Sequence, residues 1–240
     1  MKILLSFLTA FVVLAATAQQ TKVYNDPNAK TRTISGTFKK ISVSSGVELY
    51  LTQGNETALA VSVSDNKYEE RFKTEVVDGV LKIYYDNNGV TWSNDKHRKL
   101  KAYLSVKSIE GLKASSGSRV EFSNQLTAES FDLSVSSGAN LKGSLKVNVL
   151  NAEVSSGAIS SVSGSASTLT VSANSGAIFK GFEFITQNCT ASANSGAVVN
   201  IEVQKELNAS ANSGGVVSYK GNATLNKGSV NSGGAVNHSK

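Results

Sequence analysis

An all-β fold, a right-handed parallel β-helix of about 19 residues per coil behind a more irregular β-rich N-terminal part, is predicted by three observations. First, a Ser-Gly corner recurs at Gly46, Gly117, Gly138, Gly157, Gly176, Gly196, Gly214 and Gly233. The successive spacings are 71, 21, 19, 19, 20, 18 and 19 residues, and periods of this kind mark a solenoid. Second, apolar residues hold fixed alternate columns around each corner, as in a short strand with one buried face. Third, the 240 residues are 40% apolar and 18% charged, with 20 Gly but one Pro and one Cys. That composition excludes collagen, a coiled coil and a disulfide-stapled miniprotein, and the spread of Val, Leu and Ile excludes a disordered chain.

Residues 1–18 read as a signal peptide rather than as part of the fold. Lys2 supplies a positive start, and residues 3–16 form an apolar run too short for a membrane span. Ala16-Thr17-Ala18 is a small-residue cleavage site, which places the cut before Gln19. No Cys follows the run, so no bacterial lipid anchor is expected, nor any later span. The only thiol, Cys189, sits within the repeats and is expected to be a small buried residue.

Residues 19–112 carry most of the chain's charge and its longer apolar runs, at 37–51, 58–64, 74–85 and 100–106. Asp78-Gly79 between two alternating runs is a hairpin signal. Residues 66–72 read as one helical turn. The long gap after Gly46 is therefore a β-rich insertion, suited to cap an open solenoid end whose strand edges would otherwise stay unpaired.

Residues 113–240 form the regular array. Three places before each glycine stand Val43, Ala114, Val135, Val154, Ala173, Ala193, Ala211 and Val230, all small or aliphatic. Immediately before each glycine stands Ser, preceded by Ser in the first four copies and by Asn174, Asn194, Asn212 and Asn231 in the last four. Asn and Gly tolerate positive φ, so the expected unit is strand, sharp corner, strand, looser return, with Ser and Asn stacked as polar ladders. A left-handed β-helix wants a strict hexapeptide rhythm, which these spacings fit poorly.

Motifs for chemistry are sparse. His97 and His238 lie far apart, and no Cys/His cluster offers a zinc site. The repeats lack the regularly placed Asp of a calcium roll, and no G-x-S-x-G elbow, P-loop or dinucleotide fingerprint occurs. No cofactor and no catalytic residue is therefore expected. Glu183 and Glu202 are 19 residues apart and could stack on adjacent coils as paired carboxylates of a polysaccharide lyase or hydrolase. The plainer reading makes them two solvated strand residues. Lys96, Arg98, Lys99 and Lys101, in a chain of net charge +6, form a candidate basic patch for an anionic partner, or an ordinary loop into the next strand. Phe179, Phe182, Phe184 and Tyr219 read as core fillers of the wider coils; exposed, they could stack on sugar rings.

The stretch from Ile41 to Leu49 (Ile-Ser-Val-Ser-Ser-Gly-Val-Glu-Leu), the hairpin end Gly79-Val-Leu-Lys-Ile, the serial Ser-Gly copies and the closing Gly214-Gly-Val-Val-Ser-Tyr-Lys-Gly221 with Asn231-Ser-Gly-Gly together carry a resemblance. The chain resembles the exported bacterial proteins known as putative autotransporter adhesins with a head GIN domain, common in Bacteroidetes, over about residues 34–237. The resemblance implies a β-helical fold and an extracytoplasmic location, and it carries no catalytic residues onto this chain. A true autotransporter ends in an outer-membrane barrel. Here Lys240 closely follows the last repeat, so no self-translocation is expected. The expected function is an exported, non-enzymatic binding or adhesion module in the periplasm, at the outer-membrane surface or outside the cell. Its expected partner is a glycan or an envelope protein, not nucleic acid.

Overall fold

Each coil turns on a Ser-Gly pair held in the left-handed region. The computed structural model describes residues 26–88 and 97–239, so the expected leader and Lys96 lie outside the described residues. The eight corner serines have φ between 49° and 61°, and the glycines after them lie between 68° and 75°. The N–H after the glycine donates to the carbonyl before the serine, as from Ala139 to Ser136 at 3.1 Å and from Ala177 to Asn174 at 3.2 Å. Positive φ at both central residues of such a turn is the type I′ pattern. The residue in the left-handed place before each glycine is not Asn. Ser takes it, and Asn stands one position earlier, where its side chain can bond its surroundings.

Seven bonds tie the corners together along the axis. Gly46 donates to Ser116, Gly117 to Ser137, Gly138 to Ser156, Gly157 to Ser175, Gly176 to Ser195, Gly196 to Ser213 and Gly214 to Ser232, each at 3.0 Å. Parallel strands run into and out of this seam. β10 (Leu126–Val135), β11 (Asn140–Val154), β12 (Ile159–Ala173), β13 (Ile178–Asn194) and β14 (Val198–Asn212) follow one another, paired in parallel. From β11 to β14 a single strand spans corner to corner, so the looser return expected there is itself strand. Rungs above and below satisfy its backbone groups, and no loop is needed. β15 (Val216–Lys220), β16 (Thr224–Asn231) and β17 (Ala235–His238) complete the array on β14 and β15.

The first copy joins this stack directly. The 37–51 run is split by its corner into β2 (Lys40–Val43) and β3 (Glu48–Gln53). β2 pairs in parallel with β8 (Gly111–Ala114), and β3 pairs with β9 (Arg119–Phe122). The insertion folds onto the opposite side of that coil. β6 (Val80–Tyr85) pairs in parallel with β2, and β7 (Leu100–Val106) with β3. Antiparallel strands then close the end: β5 (Phe72–Val77) on β6, β4 (Ala58–Val63) on β7 and β1 (Lys30–Arg32) on β4. Asp78-Gly79 makes the predicted hairpin turn, both residues at positive φ. The helical turn shrinks to one 3-10 turn, Asn66–Tyr68, capped by the Asp65 side chain. The result is a parallel β-solenoid of about seven coils with an irregular N-terminal part.

The core is a set of side-chain stacks. Val135, Val154, Ala173, Ala193 and Ala211 line up beside the seam, all buried, and their small size lets the chain turn sharply. Away from the seam the section widens, and Phe131, Leu150, Leu169, Cys189 and Leu207 form another buried column. One stack contains a mismatch. Ser160 is fully buried between Leu141 and Phe179, and its hydroxyl has no hydrogen-bond partner. In the next inward position Gly143 makes room for a ring, because a Cβ there would land on Phe122.

Two stability changes follow. Ser160→Ala removes an unsatisfied buried hydroxyl and is expected to raise unfolding free energy by about 1 kcal/mol. Gly143→Ala forces the Phe122 ring aside and is expected to lower it by about 1–3 kcal/mol. Denaturant titration of both variants beside the parent reads the two signs.

Candidate functional site

A groove of about 490 Å³ lies on the outer face of the solenoid, against Gly143 and Val162. Strand register builds it. Outward residues of successive rungs stand in line: Glu121 beside Lys142, Lys142 beside Ser161, Ser161 beside Lys180, and Lys180 beside Asn200. These side chains form one wall. Ser144, Ser163, Phe182 and Glu183 line the rest of the groove.

Phe182 reaches the surface through a register shift. Ser161 is opposite Lys180, but Ser163 is opposite Glu183, so β13 carries one extra residue against β12. Against β14 the excess is larger, because Gly181 is opposite Ile201 while Ile185 is opposite Glu202. A bulge bends the strand and re-aims a side chain. Phe182 ends half-buried, with the Lys220 ammonium 5.0 Å from its ring centroid. Phe179, Phe184 and Tyr219 are buried. The reading of all four as core fillers is thus corrected at Phe182. The same shift overturns the stacked carboxylates: Glu183 faces Ser163 and Glu202 faces Ile185 on neighbouring rungs.

The basic residues are spread over two environments. The Arg98 guanidinium lies 4.3 Å over the Tyr85 ring centroid. Lys99 and Lys101 line a separate hollow with Asp26, Ser62 and Tyr103. There the Tyr103 hydroxyl donates to Asp26 at 2.9 Å and its ring stacks on Tyr50 at 5.2 Å. Burial, then the Asp26 carboxylate, push the Tyr103 phenol well up. Burial also raises the Asp26 carboxyl, but the Asn28 amide, the Tyr103 and Ser62 hydroxyls and Lys101 together hold it below its ordinary value.

The asparagines bond mostly within their own coils. Asn174 donates to Ser172 at 3.2 Å, Asn194 to Ser192 at 3.0 Å and Asn231 to Ser229 at 2.6 Å. Asn212 makes a step between coils, donating to Asn194 at 3.2 Å. Among the described residues no group of three or more His, Cys, Asp or Glu is placed to hold a metal ion. The groove can present hydroxyls, an amide, two ammonium groups, two carboxylates and an aromatic ring to a ligand. Its polar members, Lys142, Ser144, Ser161, Ser163 and Asn200, were not singled out from the sequence. The signal for them was the coil of 20 residues next to the coil of 18 around Gly196.

Fold and groove together define a parallel β-solenoid with a capped N-terminal end and a lateral, open surface site. The chain belongs to the family described as putative auto-transporter adhesin, head GIN domain, whose model matches residues 37–223. Its fold is similar to the crystal structure of a putative adhesin from Bacteroides fragilis, at 17% identity over 89% of this chain and 98% of that one, with a TM-score of 0.76. A putative adhesin from Parabacteroides distasonis is similar at 17% identity over 88% and 96% of the two chains, with a TM-score of 0.70. A putative lipid binding protein from the same species is similar at 17% identity over 90% and 98%, with a TM-score of 0.65. No curated protein matches the chain. Among the described residues no helix is long and apolar enough to cross a membrane.

Cys189 fills a place in the core column between Leu169 and Leu207, and burial pushes its thiol up to about 12. The thiolate is the reactive form. The folded protein is expected to resist thiol reagents at mildly alkaline pH and to label one equivalent in denaturant, read by mass spectrometry.

Proposed function

We propose that this protein is a non-catalytic binding module, exported and working at the cell surface or within the envelope, that holds its partner against the lateral wall of the solenoid. The observation that carries this reading is the outer row in which Tyr103, Tyr50, Glu121, Lys142, Ser161 and Lys180 stand one per rung. Rungs of a sheet repeat at about 4.8 Å, so the row is a rigid, evenly spaced file of unlike groups. Such a surface is already organised before a partner arrives, which lowers the ordering cost of binding. Membership of a family described as putative adhesins supports the same reading. The partner is a glycan or an envelope protein.

Protease treatment of intact cells producing the full chain tests the location. Digestion without lysis is expected if the module works at the surface, and protection until lysis assigns it to the periplasm. Cosedimentation of the processed protein with purified envelopes tests the binding itself. Saturable attachment is the expected result, and failure to attach at any concentration refutes the binding role.

A further inference from the structure

We propose that the groove beside the Phe182 bulge is a saccharide site for a neutral, extended pyranose chain lying along the solenoid axis. This names the ligand class of the binding module argued above and rests on that reading. Three features of the groove converge on it.

The first is the aromatic floor. β13 departs from the register of β12 once and from that of β14 twice, and Phe182 lies where the two neighbours' shifts coincide. Each skipped rung pair forfeits ladder hydrogen bonds, and bulges recur beside sites where a side chain must be re-aimed. A half-buried phenyl ring in a concave lining that mixes apolar carbon with hydroxyl and amide groups matches the apolar C–H face and hydroxyl edge of a pyranose, and Lys220 lies near the ring. Glycine gives the depth. Gly143 lines the groove, and a Cβ there would land on the Phe122 ring.

The second feature is the polar rim. Ser144, Ser161, Ser163 and Asn200 border the ring with groups that both donate and accept, as the hydroxyls of a sugar do. An acyl chain gains nothing from such a rim and would leave those groups desolvated. The third is charge. Lys142 and Lys180 are balanced by Glu121 and Glu183, so the groove has no net field to draw a polyanion. Along the axis Lys142, Ser161, Lys180 and Asn200 occupy successive rungs about 4.8 Å apart, a repeat that consecutive pyranose units of an extended chain can follow.

The test is a panel of neutral gluco-, manno-, galacto- and xylo-oligosaccharides, with polygalacturonate and phospholipid vesicles as competitors for the assignment. The processed full-chain protein, Phe182→Ala and Phe182→Trp are titrated against each. Thermal melts establish that the variants fold. The expected result is binding to a neutral member, weakened about ten-fold or more in Phe182→Ala and kept in Phe182→Trp. No binding to any neutral member, equal binding by Phe182→Ala, or preference for polygalacturonate or vesicles overturns the saccharide site. Envelope cosedimentation separates the two levels. Attachment unchanged in Phe182→Ala rejects the groove but leaves the binding module standing. An unaltered protein that binds neither envelopes nor saccharide removes both.

Discussion

The bond from each corner glycine N–H to the serine carbonyl of the next coil is the constraint on which the rest of the structure depends. A two-residue turn with both members left-handed is short enough to fold the chain back sharply, and costly enough for serine that it needs a compensating partner. The seam supplies that partner seven times at the same distance. Because the corner fixes where each strand starts, it also fixes which residues point inward. Alanine and valine beside the seam follow from the tight turn, and leucine and phenylalanine fill the section where it widens.

The same constraint makes the outer surface a lattice. With corners in line, coils of equal length bring equivalent residues into rows, and a coil of unequal length must spend its excess between corners. The coil that ends at Gly196 does this at Phe182–Phe184, and its excess becomes surface relief. The candidate site is thus the place where the repeat departs from its period while the seam holds. The salt bridges from Lys39 to Glu110 and from Lys40 to Asp132 lie on the exposed wall and add little beside the seam.

What the sequence showed and what it hid divide along the same line. The period, the corners and the inward columns were legible because they are local: a turn type and an alternation that each copy repeats. The hairpin at Asp78-Gly79 was legible for the same reason. Asparagine tolerates positive φ better than serine in isolation, yet the turn places its central pair at Ser-Gly. The position of Phe182 was hidden. Coil lengths of 20 and 18 residues reveal that something bulges, but which residue turns outward depends on where the neighbouring rungs lose register. Arg98 over Tyr85 and Tyr103 against Asp26 join residues far apart in sequence, and no spacing announces either contact.

The first coil lies between two segments that both follow it in the chain, β6 and β7 on one side and β8 and β9 on the other. Joining it to the second coil closes a loop of 71 residues, where later coils close loops of 18 to 21. Loop closure grows only logarithmically with length, so the longer loop costs about 1 kcal/mol more. The asymmetry is therefore one of order rather than of stability. A chain emerging from its N-terminus cannot stack its coils as they appear, because the first must wait for residues up to Phe122 before both its faces are covered. Every later coil pairs with its neighbour across a short stretch of chain, so local stacking is open to the array from Gly117 onward while the first coil alone depends on a distant partner.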